Sequence, residues 1–256
     1  MITIRLLRAQ LHQVFSWKLF VYCVVFCVIQ MTGIAGLIDR DASSVWYLVN
    51  ISFSTGITYL SVYILPTIPF STTLATDWNS RATPYWAVRC GINRYSCVKL
   101  LSAAVAGFMV VFFGLLFLIL FLGISMPWYS CDTPLNSYDS LFQENAPLIG
   151  WLCFLTHHGM SGAFIGMLGM FLTIYMNDAF VAISAPLSIF LLLTRMLNNA
   201  RFQTDSIFWP SNWTTGIHSA GSPGQTLLEK AIVTFLLCGF MCATGAVKMN
   251  RRMKRA

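Results

Sequence analysis

Long uninterrupted apolar runs, separated by short polar stretches containing Pro, Gly or charges, dominate this chain. A helix that crosses a membrane takes about 20 mostly apolar residues. Six stretches qualify: 17–38, 45–65, 100–124, 148–176, 179–197 and 231–247. The second stops at Pro66 and Pro69, through which a helix does not continue. The third holds the longest run, Val110 to Leu122, broken only by Gly114. These runs are continuously apolar rather than alternating, so the pattern disfavours a β-barrel. The first run is too long for a cleaved leader, lacks an Ala-x-Ala-type site and leads straight into another span; it is expected to remain as a span. There is no internal repeat and no low-complexity segment. Ahead of the first span, residues 1–16 have a second kind of pattern. Ile4, Leu7, Leu11 and Val14 share one helical face, and Arg5, Arg8 and His12 lie on another. This predicts an amphipathic helix lying in the headgroup layer.

Composition agrees with this reading. Hydrophobic residues make up 57% of 256 and charged residues 10%, against roughly 25% charged in a soluble domain. So few charges could not cover a soluble core, and neither disorder nor a solvated nucleic-acid-binding surface fits. The net charge is +7. Where those charges sit matters more than their sum. Arg5 and Arg8 precede span one, and Lys18 lies at its very start. Arg81, Arg89, Arg94 and Lys99 lie between spans two and three, and Lys248, Arg251, Arg252, Lys254 and Arg255 form the tail. In a six-span chain these twelve of the sixteen basic residues fall on one side. Only Arg40, Arg195, Arg201 and Lys230 fall on the other. The positive-inside rule then makes both termini cytoplasmic. The long segments 125–147 and 198–230 become external, with Asp132, Asp139, Glu144, Asp205 and Glu229, and a short turn at Asn177 and Asp178 joins spans four and five.

The eight cysteines are scattered. Cys23 with Cys27 and Cys238 with Cys242 are i,i+4 pairs within spans, Cys90 and Cys97 lie in the cytoplasmic segment, and only Cys131 lies outside. No disulfide framework results, and the in-span pairs read as small core residues rather than a metal site. No metal site is expected.

Segment 70–99 is longer than an ordinary connection. It has an ordered composition, with Trp78, Tyr85, Trp86 and Tyr95 among its charges. Pro84 can open a helix and Gly91 can close one, giving a short helix with Tyr85, Val88 and Arg89 at helical spacing. Such an element rests on lipid or docks into a partner.

Asp77, a following small polar pair, and then Arg89, Arg94, Tyr95 and Lys99 in an Arg-x4-Arg-Tyr-x3-Lys spacing that runs into span three resemble the permeases of the ABC-2 type export family. The resemblance covers the layout of the whole chain; in residues it is specific over 77–99. It implies an all-α membrane protein with six transmembrane helices, an N-terminal interfacial helix, both termini cytoplasmic and a single transmembrane permease domain over 1–256. It also implies that 70–99 forms a coupling helix that inserts into a separate ATPase subunit, with Asp77, Arg81, Tyr85, Arg89, Arg94, Tyr95 and Lys99 as the coupling residues. Arg81 stands where that family commonly has Gly, which bears on the local turn. The aromatic-rich stretch with Phe202, Ile207, Phe208, Trp209 and Trp213 corresponds to a region that the family folds as short re-entrant or interfacial helices capping the exit path. Asn212, Trp213 and Thr214 form a glycosylation sequon, relevant only in a eukaryotic secretory setting.

Span four contains His157, His158, Gly159, Met160, Ser161 and Gly162. Its Gly-x-Ser-Gly resembles the nucleophile motif of rhomboid intramembrane proteases. That chemistry needs a base to take the serine proton, and span six, where rhomboids place the histidine, has none. Gly162, Gly166 and Gly169 instead read as a helix-packing face. Polar groups within a bilayer are functional candidates, which leaves His157, His158 and Ser161 as possible pathway-lining residues.

No G-x-x-x-x-G-K-[ST] motif is present, so any ATP-driven work must come from a partner; the resemblance implies ATP and Mg on a partner ATPase and no cofactor on this chain. Paired intramembrane carboxylates of a proton relay are also missing, Asp178 being the nearest acid. The leading expectation is a non-enzymatic permease subunit of an ATP-driven exporter in the bacterial cell membrane. It would pair with a second, identical or paralogous, permease subunit and with membrane lipids, move a lipid, drug or peptide-like substrate outward, and bind no nucleic acid. The alternatives are an intramembrane serine hydrolase using Ser161 and a non-transporting immunity or sensor subunit.

Overall fold

The computed structural model describes residues 2–38, 44–53, 56–130, 136–176, 178–198 and 220–254. Arg40, Cys131, Asp132, Asn177, Arg201, Asp205, Arg255, the aromatics at 202–213 and the Asn212 sequon lie outside them. Every regular element among the described residues is helical. Five helices are long and apolar enough to cross a membrane, so this is a multi-pass membrane protein by length and composition.

The first element is α1 (Ile2–Val14). Leu6, Gln10 and Val14 form its buried line, while Arg8 and His12 are exposed. It rests on the sixth and seventh helices. α2 (Trp17–Ile34) buries Leu19, Cys23, Phe26, Gln30 and Ile34, one stripe at helical spacing. Its other side leaves Trp17, Phe20, Val24 and Val28 exposed, the face expected against lipid tails.

The second predicted span, 45–65, differs from its expectation. It holds two shorter helices, α3 (Val45–Ser52) and α4 (Gly56–Ile64), neither long enough to cross alone. Ser52 and Phe53, where α3 closes, and Gly56, where α4 starts, are all weak helix formers. α3 closes at Phe53, whose backbone N–H donates to the Ile51 carbonyl. The Thr58 hydroxyl donates to the Ser52 carbonyl oxygen, which draws the two pieces together. Gln30 on α2 braces α4 by donating to the Thr58 carbonyl at 3.3 Å and the Ser61 hydroxyl at 3.1 Å.

Segment 70–99 resolves into α5 (Thr73–Asn79), α6 (Ala82–Cys90) and the first two turns of α7 (Ile92–Leu122). α8 (Asp139–Gln143) is a short helix ahead of α9 (Pro147–Tyr175). α10 (Ala179–Asn198) and α11 (Pro223–Met253) follow. α7 and α11, at 31 residues each, are about 46 Å long at 1.5 Å per residue, well beyond a hydrocarbon core of about 30 Å. Both therefore start or end outside the limits expected for spans three and six, 100–124 and 231–247.

α7 and α9 form the central pair, and glycine makes their approach possible. Gly107 on α7 and Gly162 on α9 meet backbone to backbone. A Cβ on Gly166 would lie 2.7 Å from the Ala103 carbonyl oxygen, too close for any real side chain. Gly169 makes the same kind of approach to the Ala182 carbonyl of α10 at 2.5 Å. α2 packs on α7 at Gly114, where a Cβ would meet the Phe26 ring at 2.7 Å.

Candidate functional site

The N-terminus of α7 and the C-termini of α9 and α11 lie at one end of the bundle, with α1, α5 and α6 beside them. Arg252 near the end of α11 fixes this arrangement. It donates to the Ile174 carbonyl of α9 at 3.0 Å, and its guanidinium stacks over the Trp78 ring of α5 at 4.0 Å. Neither Trp78 nor Arg252 was among the sequence-derived site residues, and a cation–π pair between segments so far apart leaves no spacing to read.

The seven sequence-derived coupling residues separate into two groups here. Asp77, Tyr95 and Lys99 turn inward. Thr73 and Asp77 are one turn apart on α5, and Tyr95 and Lys99 are one turn apart on α7, so the two i,i+4 pairs face each other. Asp77 Oδ2 accepts from Lys99 Nζ at 2.8 Å and from the Tyr95 hydroxyl at 2.9 Å. Lys99 Nζ also lies 3.4 Å from Thr73 Oγ1 and 5.1 Å from the centre of the Phe70 ring. Lys99 is only 2% exposed and Asp77 27%. A lysine so deeply placed needs its carboxylate, because an unpaired buried charge is costly. These three residues fasten α5 to α7.

Arg81, Tyr85, Arg89 and Arg94 turn outward and are exposed. Arg81 ends the α5–α6 turn at φ +59°, a left-handed conformation, with its N–H donating to the Trp78 carbonyl at 3.0 Å. That conformation costs a side-chain-bearing residue but not glycine, and here the turn forms with Arg at this position. Gly91 separates α6 from α7 at φ +84°. On α6 the Arg89 guanidinium lies 5.0 Å over the Tyr85 ring, and Tyr85 meets Trp86 edge to face. Val88, 83% exposed, is the most open large apolar side chain of the segment. Arg89, Arg94, Asn93 and Asn250 border a shallow cleft of about 550 Å³ where α6, α7 and α11 meet.

At the opposite end, α3, α8 and α9 build a second polar cluster. Asp139 Oδ1 accepts from the Trp46 indole at 2.6 Å, and Oδ2 accepts from the Asn136 backbone N–H at 2.6 Å. Asn136 in turn donates to Asn50 Oδ1 at 2.7 Å. His157, His158 and Ser161 are all buried on α9. His157 Nδ1 is 2.8 Å from the Tyr138 hydroxyl, whose pKa burial pushes up. His158 stacks flat on Phe53, ring centres 4.3 Å apart, and meets Phe154 edge on. Both histidines sit in a closed aromatic layer with Trp46 and Trp151.

Among the described residues no three His, Cys, Asp or Glu side chains gather where they could hold a metal. No family model matches the chain, and no curated protein or solved structure matches it.

Proposed function

We propose that the chain is the permease subunit of an ATP-driven ABC-2 type exporter in the bacterial cytoplasmic membrane. The observation that carries this reading is α6. It is a short helix at the basic end, with Tyr85, Val88 and Arg89 exposed and its flanks fastened to the bundle by the Asp77–Lys99 pair. A surface of this kind, apolar and aromatic with a flanking cation, suits a groove on a partner protein. The partner is an ATPase subunit that carries ATP and Mg.

In this reading α3 and α4 together make the second crossing, which brings the span count to six. Irregular backbone at membrane depth is tolerated where it is enclosed by protein, and Ser52, Phe53 and Thr58 are buried. The basic end faces the cytoplasm by the positive-inside rule, so both termini are cytoplasmic and α1 lies along that membrane surface. A second permease subunit completes the pathway, and a lipid, drug or peptide-like substrate moves outward. Ser161 is fully buried, which favours helix packing over a hydrolytic role.

The test is co-purification from cells that naturally express the chain. The native chain brings down a nucleotide-binding ATPase, and the Tyr85→Ala/Val88→Ala/Arg89→Ala variant, which touches only exposed positions, loses it. An ATPase retained in full by that variant overturns the docking assignment.

A further inference from the structure

We infer that the basic end carries a binding site for an anionic glycerophospholipid, in the groove between the C-terminal turns of α9 and α11. This site is separate from the surface of α6. Two clefts meet there. One, of about 470 Å³, is bordered by Ala243, Thr244 and Val247 along α11 and by Tyr175 at the end of α9, and reaches Lys248 and Arg251. The other, of about 310 Å³, shares Tyr175, Lys248 and Arg251 and continues to Ile174 and Arg252.

The groove is therefore apolar along its length and cationic at its mouth. Among the described residues no carboxylate borders either cleft.

Position along the helix favours a lipid over a soluble anion. α11 outruns the hydrocarbon core, so its last turns, with Lys248 and Arg251, reach headgroup level while Ala243 and Val247 remain beside acyl chains. Tyr175, 47% exposed, stands at the same level, where aromatic side chains are enriched. Arg252 is engaged with Ile174 and Trp78. Lys248 leans over the Tyr175 ring at 4.9 Å but stays exposed, as does Arg251. These two cations are the phosphate ligands, and Val247 with Ala243 forms the acyl wall. Basic pockets between helices at a membrane surface select anionic headgroups by the same charge complementarity.

The test uses the full-length purified chain in detergent, titrated with dioleoylphosphatidylglycerol or dioleoylphosphatidylcholine and read by native mass spectrometry. The anionic lipid is expected to bind about thirtyfold more tightly, the order for two basic side chains near an anionic phosphate. Lys248→Gln/Arg251→Gln abolishes that preference. Ala243→Phe fills the apolar slot, leaves both cations in place and lowers retention of the anionic lipid. Excess glycerol 3-phosphate fails to displace it. All three positions are exposed, and unchanged melting temperatures certify the variants. Equal retention of the two lipids, a preference that survives the double Gln variant, full retention in Ala243→Phe, or displacement by glycerol 3-phosphate overturns the site. No ATPase enters this measurement, so its outcome is independent of the docking proposal.

Discussion

Two buried polar clusters, one at each end of the bundle, perform the same mechanical task by different chemistry. At the basic end Asp77 fastens the short helix α5 to α7 through the Lys99 ammonium and the Tyr95 hydroxyl. At the far end Asp139 fastens α8 to α3 through the Trp46 indole N–H, and its other oxygen accepts from the Asn136 backbone amide just ahead of α8. The first tie depends on an ion pair with one member almost fully buried, so it fails abruptly when either charge is lost. The second distributes its carboxylate over neutral donors within a layer of stacked aromatics that also contribute packing.

The largest expected effect tests that contrast directly. Asp77→Ala leaves Lys99 buried without its counter-charge and costs about 3–5 kcal/mol, measured by denaturation in micelles. The double variant Asp77→Asn/Lys99→Met recovers most of it. Asp139→Asn keeps the shape but offers one acceptor oxygen to two donors, so its NH2 group faces either the Trp46 indole or the Asn136 N–H, and it costs about 1.5–3 kcal/mol. If Asp139→Asn proves the more damaging, the contrast is reversed.

The seam that joins the two ends supplies the next test. Gly166→Val forces a side chain against the Ala103 carbonyl and costs about 1–3 kcal/mol through overpacking. Ser161→Ala, one turn away and shorter only by a hydroxyl, costs less on the same scale.

How much of this was legible in the sequence depended on the kind of signal. Long apolar runs bounded by clear breaks gave helices close to their expected limits: 148–176 against Pro147–Tyr175, and 179–197 against Ala179–Asn198. Residues 45–65 read as one run because hydropathy averages over a single polar Ser52, whereas α3 closes there, at Phe53. Span three was expected over 100–124, and α7 begins earlier, at Ile92, running past the hydrocarbon core, with Lys99 turned inward to Asp77 in its early turns. The same blindness affected the site. Charges in 77–99 look equivalent along the chain, and only the fold shows that Asp77, Tyr95 and Lys99 satisfy one another while Arg81, Arg89 and Arg94 remain outside. The Arg252–Trp78 contact joins segments with no local relation and left no trace in sequence.

Two smaller effects sharpen the division between the inward and outward residues of 77–99. Arg81→Gly relieves the left-handed backbone at φ +59° and raises stability by about 0.5–1 kcal/mol, after the greater chain entropy of glycine is allowed for. Thermal unfolding of the purified chain measures it. The exposed triple variant Tyr85→Ala/Val88→Ala/Arg89→Ala changes stability by no more than about 0.5 kcal/mol, so any loss of a partner from it reflects the surface and not the fold.

The central claim, that α6 is where an ATPase engages this chain, is tested most directly by a photoreactive benzoylphenylalanine placed at Val88, the most open apolar position of that helix. Irradiated in cells that naturally express the protein, it is predicted to give a single protein adduct, identified by mass spectrometry as a nucleotide-binding ATPase with a Walker A motif. The same probe at Trp17, on the lipid-facing side of α2, gives none. An adduct at Val88 with lipid alone, or with a protein that binds no nucleotide, contradicts the account.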